Sequence, residues 1–119
     1  MPNVLVVDDE PMITYVFSRY LQAAGFVTAE VHSARAAVEL LETFPADLLI
    51  TDRRIGGVSG DELIVMVNKI RPGMPTVLIS GDNSGVYPPP QSSHFLPKPV
   101  EPGTLIDIAT MLTGSPASA

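Results

Sequence analysis

Leu48-Leu49-Ile50-Thr51-Asp52 decides the fold, because four apolar or β-branched residues in a row end there in a carboxylate. A run without polar alternation is typical of a strand covered on both faces, which occurs in the middle of a parallel sheet. The residue that ends such a strand faces the crevice in which α/β proteins bind ligands. Asp52 is therefore the first candidate functional residue, and the Gly-rich residues 53–60 after it lead into a helix.

Four other predicted strands surround this one, and polar residues follow most of them. The strands and the residues after them are 4–7 with Asp8 and Asp9, 26–31, 76–79 with Ser80, and 95–96 with Lys98. Helical patterns alternate with the strands, which is typical of an α/β domain with a parallel sheet. We expect helices to begin at Pro11, Ser33, Ser59 and Pro102, and the second of them to end at Pro45. The third should bury Leu63, Met66, Val67 and Ile70.

The connection between the fourth and fifth strands breaks this alternation. Pro88, Pro89 and Pro90 cannot lie inside a helix, so residues 82–94 are predicted to form a loop where a crossover helix is expected. The loop is either a shortened connection or a polyproline docking segment with Tyr87 beside it.

Composition excludes several classes of protein. The 119 residues carry a formal net charge of −6 with only seven Lys and Arg, so direct nucleic-acid binding is not expected. The chain has no Cys, which excludes disulfides and thiolate metal sites. No apolar run approaches the ~20 residues of a membrane span. We therefore expect a single soluble, cytoplasmic domain without membrane contact.

Polar residues of matching chemistry meet at the carboxyl edge of the predicted sheet. Asp8, Asp9 and Asp52 would repel one another unless a cation joined them, and oxygen ligands without His or Cys favour Mg²⁺. A carboxylate beside Mg²⁺ can attack phosphorus, and Lys98 and Ser80 are residue types that bind the phosphoryl product. Each residue alone also has an ordinary explanation as a helix cap, a turn residue or a solvated side chain. Their joint placement favours a site.

Four motifs in order give the chain a family resemblance. They are residues 6–11 (VVDDEP), Asp52 with Gly60 eight residues on, residues 79–81 (ISG) and residues 95–99 (FLPKP). From residue 4 to about 112 the chain resembles the receiver domain of response regulators. The resemblance implies a doubly wound, flavodoxin-like sheet of five parallel strands in the order 2-1-3-4-5, here with the fourth helix absent or reduced to the Pro-rich loop. The domain would span residues 1–113, followed by a flexible tail at 114–119.

The resemblance also implies roles for the site residues. Asp52 would accept the phosphoryl group, and Lys98 and Ser80 would bind it. The ligands of Mg²⁺ would be Asp9 directly, Asp8 through water, Asp52 and the backbone carbonyl of Arg54.

Other implied roles concern switching and lifetime. Ser80 and the aromatic Phe95 would reposition on phosphorylation, and the peptide bond after Lys98 would be cis. Arg54 and Asp82 would influence how long the phosphoryl group lasts, and we hypothesise that they form an ion pair over the site.

The implied function is that of a phosphoacceptor and not of a turnover enzyme. A histidine kinase or histidine phosphotransfer protein would phosphorylate Asp52 in the presence of Mg²⁺, which would change binding to a downstream protein. The alternatives are a pseudo-receiver that binds partners without phosphorylation, and a receiver fragment of a hybrid histidine kinase. An Mg²⁺-dependent phosphohydrolase is disfavoured because Arg53-Arg54 occupies the place of its second carboxylate. The Pro-rich loop argues against the family's dimer through its fourth and fifth helices.

Overall fold

The computed structural model describes residues 1–81 and 93–114, within which lie five strands and four helices. The strands are β1 (Asn3–Val7), β2 (Val27–Val31), β3 (Leu48–Asp52), β4 (Thr76–Ser80) and β5 (Ser93–Pro97). The helices are α1 (Pro11–Ala23), α2 (Ala34–Leu40), α3 (Gly60–Ile70) and α4 (Pro102–Thr113). Residues 82–92 of the predicted Pro-rich loop lie outside the described residues, as does the tail from residue 115. The predicted end of the loop is wrong, because residues 93 and 94 pair with β4 and belong to β5.

The strands form one parallel sheet in the order β2-β1-β3-β4-β5, which confirms the predicted topology. Every residue of the central strands β3 and β4 is buried, because helices cover both faces of the sheet. One core cluster joins Leu49 and Leu78 to α2 and α3, and a second joins Ile50 and Ile79 to α1 and α4. Since all strands run in one direction, their carboxyl ends lie at a single edge.

Local sequence determines where the helices begin, as predicted. Pro11 and Pro102 occupy the first turns of α1 and α4, where a backbone N–H needs no helical partner. The Ser33 hydroxyl accepts an N–H from the first turn of α2. Ser59 and Glu62 form a reciprocal capping box at the start of α3. None of the helices in the described part of the chain is both long and apolar enough to cross a membrane.

The predicted inward face of α3 is wrong at two positions. Met66 and Ile70 are 36 % and 45 % exposed, and Ile64 is fully buried instead. A Cβ atom on Gly60 would lie only 2.2 Å from the carbonyl oxygen of Asp52. This close approach fixes the rotation of α3, so that the residues three, four and seven positions after Gly60 face the sheet.

The predicted end of α2 is also wrong, because the helix ends at Leu40 and not at Pro45. The guanidinium of Arg71 donates to three carbonyls beyond the helix at 3.0 to 3.1 Å, those of Leu41, Phe44 and Ala46. These carbonyls find their hydrogen-bond donor in a distant side chain and not in a further helical turn. A tertiary contact therefore ends α2 before its proline does.

Candidate functional site

Two buried carboxylates lie where β1 and β3 end. Asp8 is 4 % exposed and Asp52 is 6 % exposed. Each accepts a hydrogen bond from the backbone N–H two residues later, Glu10 for Asp8 and Arg54 for Asp52, both at 2.9 Å. Because β1 and β3 are neighbours in the sheet, the two carboxyl groups are close enough to interact with each other.

The charge of these carboxylates is poorly balanced. Burial raises the pKa of Asp8 from its ordinary 3.8 to about 7, although the hydrogen bond from Glu10 opposes this change. Interactions with Asp52 and Asp9 raise the pKa further. A carboxyl group behaves in this way when its surroundings do not tolerate another uncompensated negative charge. The site is therefore electrostatically suited to a cation.

Lys98 is the cationic partner of Asp52. Its Nζ lies 2.5 Å from Oδ2 of Asp52, while its side chain is 44 % exposed to solvent. Burial lowers the pKa of Lys98, but the hydrogen bond and the charge of Asp52 outweigh that effect, so the pKa is raised. The backbone N–H of Lys98 donates to the Ser80 carbonyl at 3.0 Å, which fixes the turn after β5 against the end of β4. The peptide bond after Lys98 is cis, as expected.

A polar cavity of about 480 Å³ opens beside the ion pair. Its lining includes Asp52, Arg54, Ser80 and Gly81. Ser80 is only 3 % exposed and stands at the end of β4, next to the end of β3. The cavity has room for a phosphoryl group and for part of the molecule that donates it.

An apolar depression of about 460 Å³ adjoins this cavity. Its lining residues are Ile13, Phe17, Gly81, Lys98, Pro99 and Val100. Gly81 therefore belongs to both spaces, and Lys98 of the depression is the ion-pair partner of Asp52 in the cavity wall. Apolar surface next to a few convergent polar groups is typical of a binding site.

Not every predicted site residue reaches the polar cavity. Asp9 is exposed, and Arg54 is exposed as well but does line the cavity. Phe95 is 37 % exposed and pairs with Leu78 of the α2 and α3 core. Its ring therefore lies on the face of the sheet that α2 and α3 cover, opposite to the side chain of Asp52. Asp82 lies outside the described residues, and its predicted ion pair with Arg54 stays a prediction.

Arg53 has a specific environment that was not predicted from the sequence. Its Nε donates to Oδ1 of Asp61 at 3.0 Å, and its guanidinium lies 5.9 Å from the centre of the Phe95 ring. The signal was available in the alternation of β3, because Arg53 follows Leu49 and Thr51 on the side that faces α3. A charge on that side needs a partner within the fold.

The donor set of the site fits Mg²⁺. In residues 1–81 and 93–114, no three His, Cys, Asp or Glu side chains converge as a ready-made metal site. Mg²⁺, however, is usually held by one or two protein carboxylates and keeps several waters. Asp8 and Asp52 supply two buried carboxylates whose mutual repulsion a divalent cation would relieve.

Comparisons with known proteins identify relatives of this fold. The family model described as the response regulator receiver domain matches residues 4–110. The transcriptional regulatory protein GlrR of Escherichia coli strain K12 is 28 % identical over 113 residues, which cover 87 % of this chain and 24 % of GlrR. The response regulator protein PilR of Pseudomonas aeruginosa is 32 % identical over 115 residues, which cover 92 % of this chain and 26 % of PilR. The chain thus spans about a quarter of the length of the curated relatives it matches.

A solved structure agrees along nearly the whole chain. The response regulator receiver protein from Sinorhizobium medicae superposes with a TM-score of 0.83 at 30 % identity. The match covers 95 % of this chain and 94 % of that one.

Proposed function

The chain belongs to the response regulator receiver domain family, and we propose that within this family it is a phosphoacceptor that is modified on Asp52. Receiver domains are signalling modules, and those of response regulators interact with histidine kinases. One observation carries the proposal: Asp52 is paired with Lys98 at the wall of a polar cavity and stands beside a second buried carboxylate, Asp8.

The chemistry is a phosphoryl transfer from a phosphohistidine of a partner protein. A carboxylate oxygen of Asp52 attacks phosphorus, a new O–P bond forms, and the P–N bond breaks as the imidazole leaves. The Arg54 N–H and the Lys98 ammonium hold the carboxylate before the attack. Lys98 then pairs with the phosphoryl oxygens and the Ser80 hydroxyl donates to them. Water then slowly attacks phosphorus, the O–P bond to Asp52 breaks, and the carboxylate is regenerated as inorganic phosphate leaves.

Mg²⁺ would be held by Asp8, Asp9, Asp52 and the carbonyl of Arg54, and when bound it supplies neutralisation of the negative charge on the transferred group. The phosphorylated chain would shift between two conformations through Ser80 and Phe95. The shift would change its affinity for a downstream protein.

Intact mass after incubation with acetyl phosphate and Mg²⁺ tests this function. We expect the wild type to gain one phosphoryl group and Asp52→Asn to gain none. Asp107→Asn, which removes an exposed carboxylate from α4, should be modified like the wild type. If neither acetyl phosphate nor a panel of phosphorylated histidine kinases modifies the wild type, the proposal is wrong and a phosphorylation-independent binding module is favoured.

A further inference from the structure

Arg53 links three elements on the face of the sheet opposite the phosphorylation site. It leaves the end of β3, its Nε donates to Asp61 in the first turn of α3 at 3.0 Å, and its guanidinium lies 5.9 Å from the ring centre of Phe95 on β5. The side chain of Arg53 is 15 % exposed and that of Asp61 is 28 % exposed. The contact is therefore largely withdrawn from water.

This environment differs from that of a solvated surface ion pair. Nη2 of Arg53 is buried and has no hydrogen-bond partner among the described residues. A guanidinium in such a place depends on its counter-charge and on an aromatic face for stabilisation. The pair of Arg35 and Glu39 on α2 is the contrast, because its side chains are 88 % and 65 % exposed. A pair that is so exposed contributes little to stability.

The ring of Phe95 is held on one side by this guanidinium. Phe95 stands beside Leu78 on the α3 side of the sheet, yet 37 % of the residue is exposed. A ring with so much free surface can adopt a second orientation without opening the core. Its present orientation is therefore sensitive to the side chains that contact it, and Arg53 is one of them.

We propose that Arg53 is a positioning residue that holds Phe95 in its resting orientation and so opposes phosphorylation of Asp52. This inference rests on the proposed function. Arg53 follows Asp52 directly in the chain, so a movement of the loop after β3 also moves the guanidinium relative to Phe95 and Asp61. A contact that exists only in the resting conformation favours that conformation, and it reduces the fraction of molecules that is ready to accept the phosphoryl group.

Initial rates of phosphorylation by acetyl phosphate with Mg²⁺, measured by intact mass, test the proposal. Arg53→Met keeps the aliphatic stem and removes the charge, and Asp61→Asn removes the counter-charge. We expect each variant to be phosphorylated about fivefold faster than the wild type, which lies at the lower end of ordinary coupling between two sites. The double variant should be no faster than Arg53→Met, because Asp61 acts through Arg53. Arg35→Met is the matched control and should leave the rate unchanged.

A second measurement reports on the ring position without phosphorylation. The chain contains no Trp, so Phe95→Trp introduces a single indole, whose emission can be excited selectively over that of the three Tyr. Acrylamide should quench this indole more strongly in the double variant with Arg53→Met than in Phe95→Trp alone. The double variant with Arg35→Met should be quenched to the same extent as Phe95→Trp alone. A purely structural role for Arg53 would lower the urea midpoint without raising the phosphorylation rate.

The outcomes separate the two proposals. Folded Arg53→Met and Asp61→Asn variants that are phosphorylated no faster than the wild type would overturn the inference, and so would unchanged quenching of the indole. A wild type that accepts no phosphoryl group from any donor overturns the proposed function instead. In that case the quenching measurement alone decides whether Arg53 holds the side chain at position 95.

Discussion

Asp52 and Arg53 are neighbours in the chain, but their surroundings are opposite in character. The Asp52 side chain meets Asp8 and Lys98 beside an open polar cavity. On the other side, Arg53 meets Asp61 and Phe95, and α3 approaches the backbone so closely that only Gly60 fits. The first side keeps a poorly compensated negative charge, which costs stability, whereas the second side consists of close packing, which provides it. The two sides of this strand end therefore differ from one residue to the next. We call the side of Asp52, Asp8 and Lys98 the reactive side, after the proposed phosphorylation, and the side of Arg53, Asp61 and Gly60 the packing side.

Gly60→Ala should cause the largest loss of stability, because it adds an atom at the closest approach between α3 and the end of β3. The added Cβ would lie 2.2 Å from the Asp52 carbonyl oxygen and 2.9 Å from Leu78 Cδ1. Relief of the first contact would require the backbone of Asp52 to move, which is energetically unfavourable. We expect the free energy of unfolding to fall by about 3 kcal/mol, the upper part of the usual range for overpacking. Urea unfolding measures it. Gly57→Ala in the same loop is the control, because a Cβ there meets nothing within 4 Å. Equal losses in the two variants would show that α3 does not depend on this approach.

Asp8→Asn should raise the free energy of unfolding instead of lowering it, because it removes a negative charge from the reactive side. The pKa of Asp8 in the folded chain is about 7 and therefore lies above its ordinary value of 3.8. Its favourable contribution is complete below pH 3.8 and is lost as the pH rises through about 7. Without Mg²⁺, the free energy of unfolding of the variant should match that of the wild type near pH 4 and exceed it at pH 8 by about 4 kcal/mol, the equivalent of this pKa shift.

Urea midpoints in the presence of a chelator at both pH values measure this difference. Asp9→Asn is the matched control, because Asp9 is the exposed neighbour of Asp8 and its change should be smaller. Added Mg²⁺ should stabilise the wild type more than Asp8→Asn. A variant that is less stable than the wild type at pH 8 would show that the carboxylate of Asp8 is needed to hold the fold.

The two sides also differ in how far the sequence predicts them. The reactive side was predictable, because four of the five apolar runs are followed at once or after one residue by a polar residue, and parallel strands bring those ends together at one edge. The packing side was not, because the rotation of α3 depends on the approach of Gly60 to a backbone atom of another element, and the end of α2 depends on Arg71. Arg53 was overlooked because an Arg in a Gly-rich loop resembles a solvated residue. Its partner Asp61 follows eight residues later, on a helix whose rotation the sequence alone did not determine.

Ile13→Ser tests whether the reactive side extends beyond the polar cavity. Ile13 lines the apolar depression that shares Gly81 with that cavity. A protein that presents a phosphohistidine to Asp52 can therefore place apolar surface in the depression, whereas acetyl phosphate cannot. With a histidine kinase or phosphotransfer protein that modifies the wild type, we expect transfer to fall about tenfold, as for the loss of one buried aliphatic contact. The rate with acetyl phosphate should not change. Met111→Ser removes an apolar side chain that is 64 % exposed on α4 and lies outside the depression, and it should affect neither reaction. An equal loss of rate with both donors would instead show that Ile13 affects the polar cavity itself. The reactive side would then consist of the polar cavity alone, without the apolar depression.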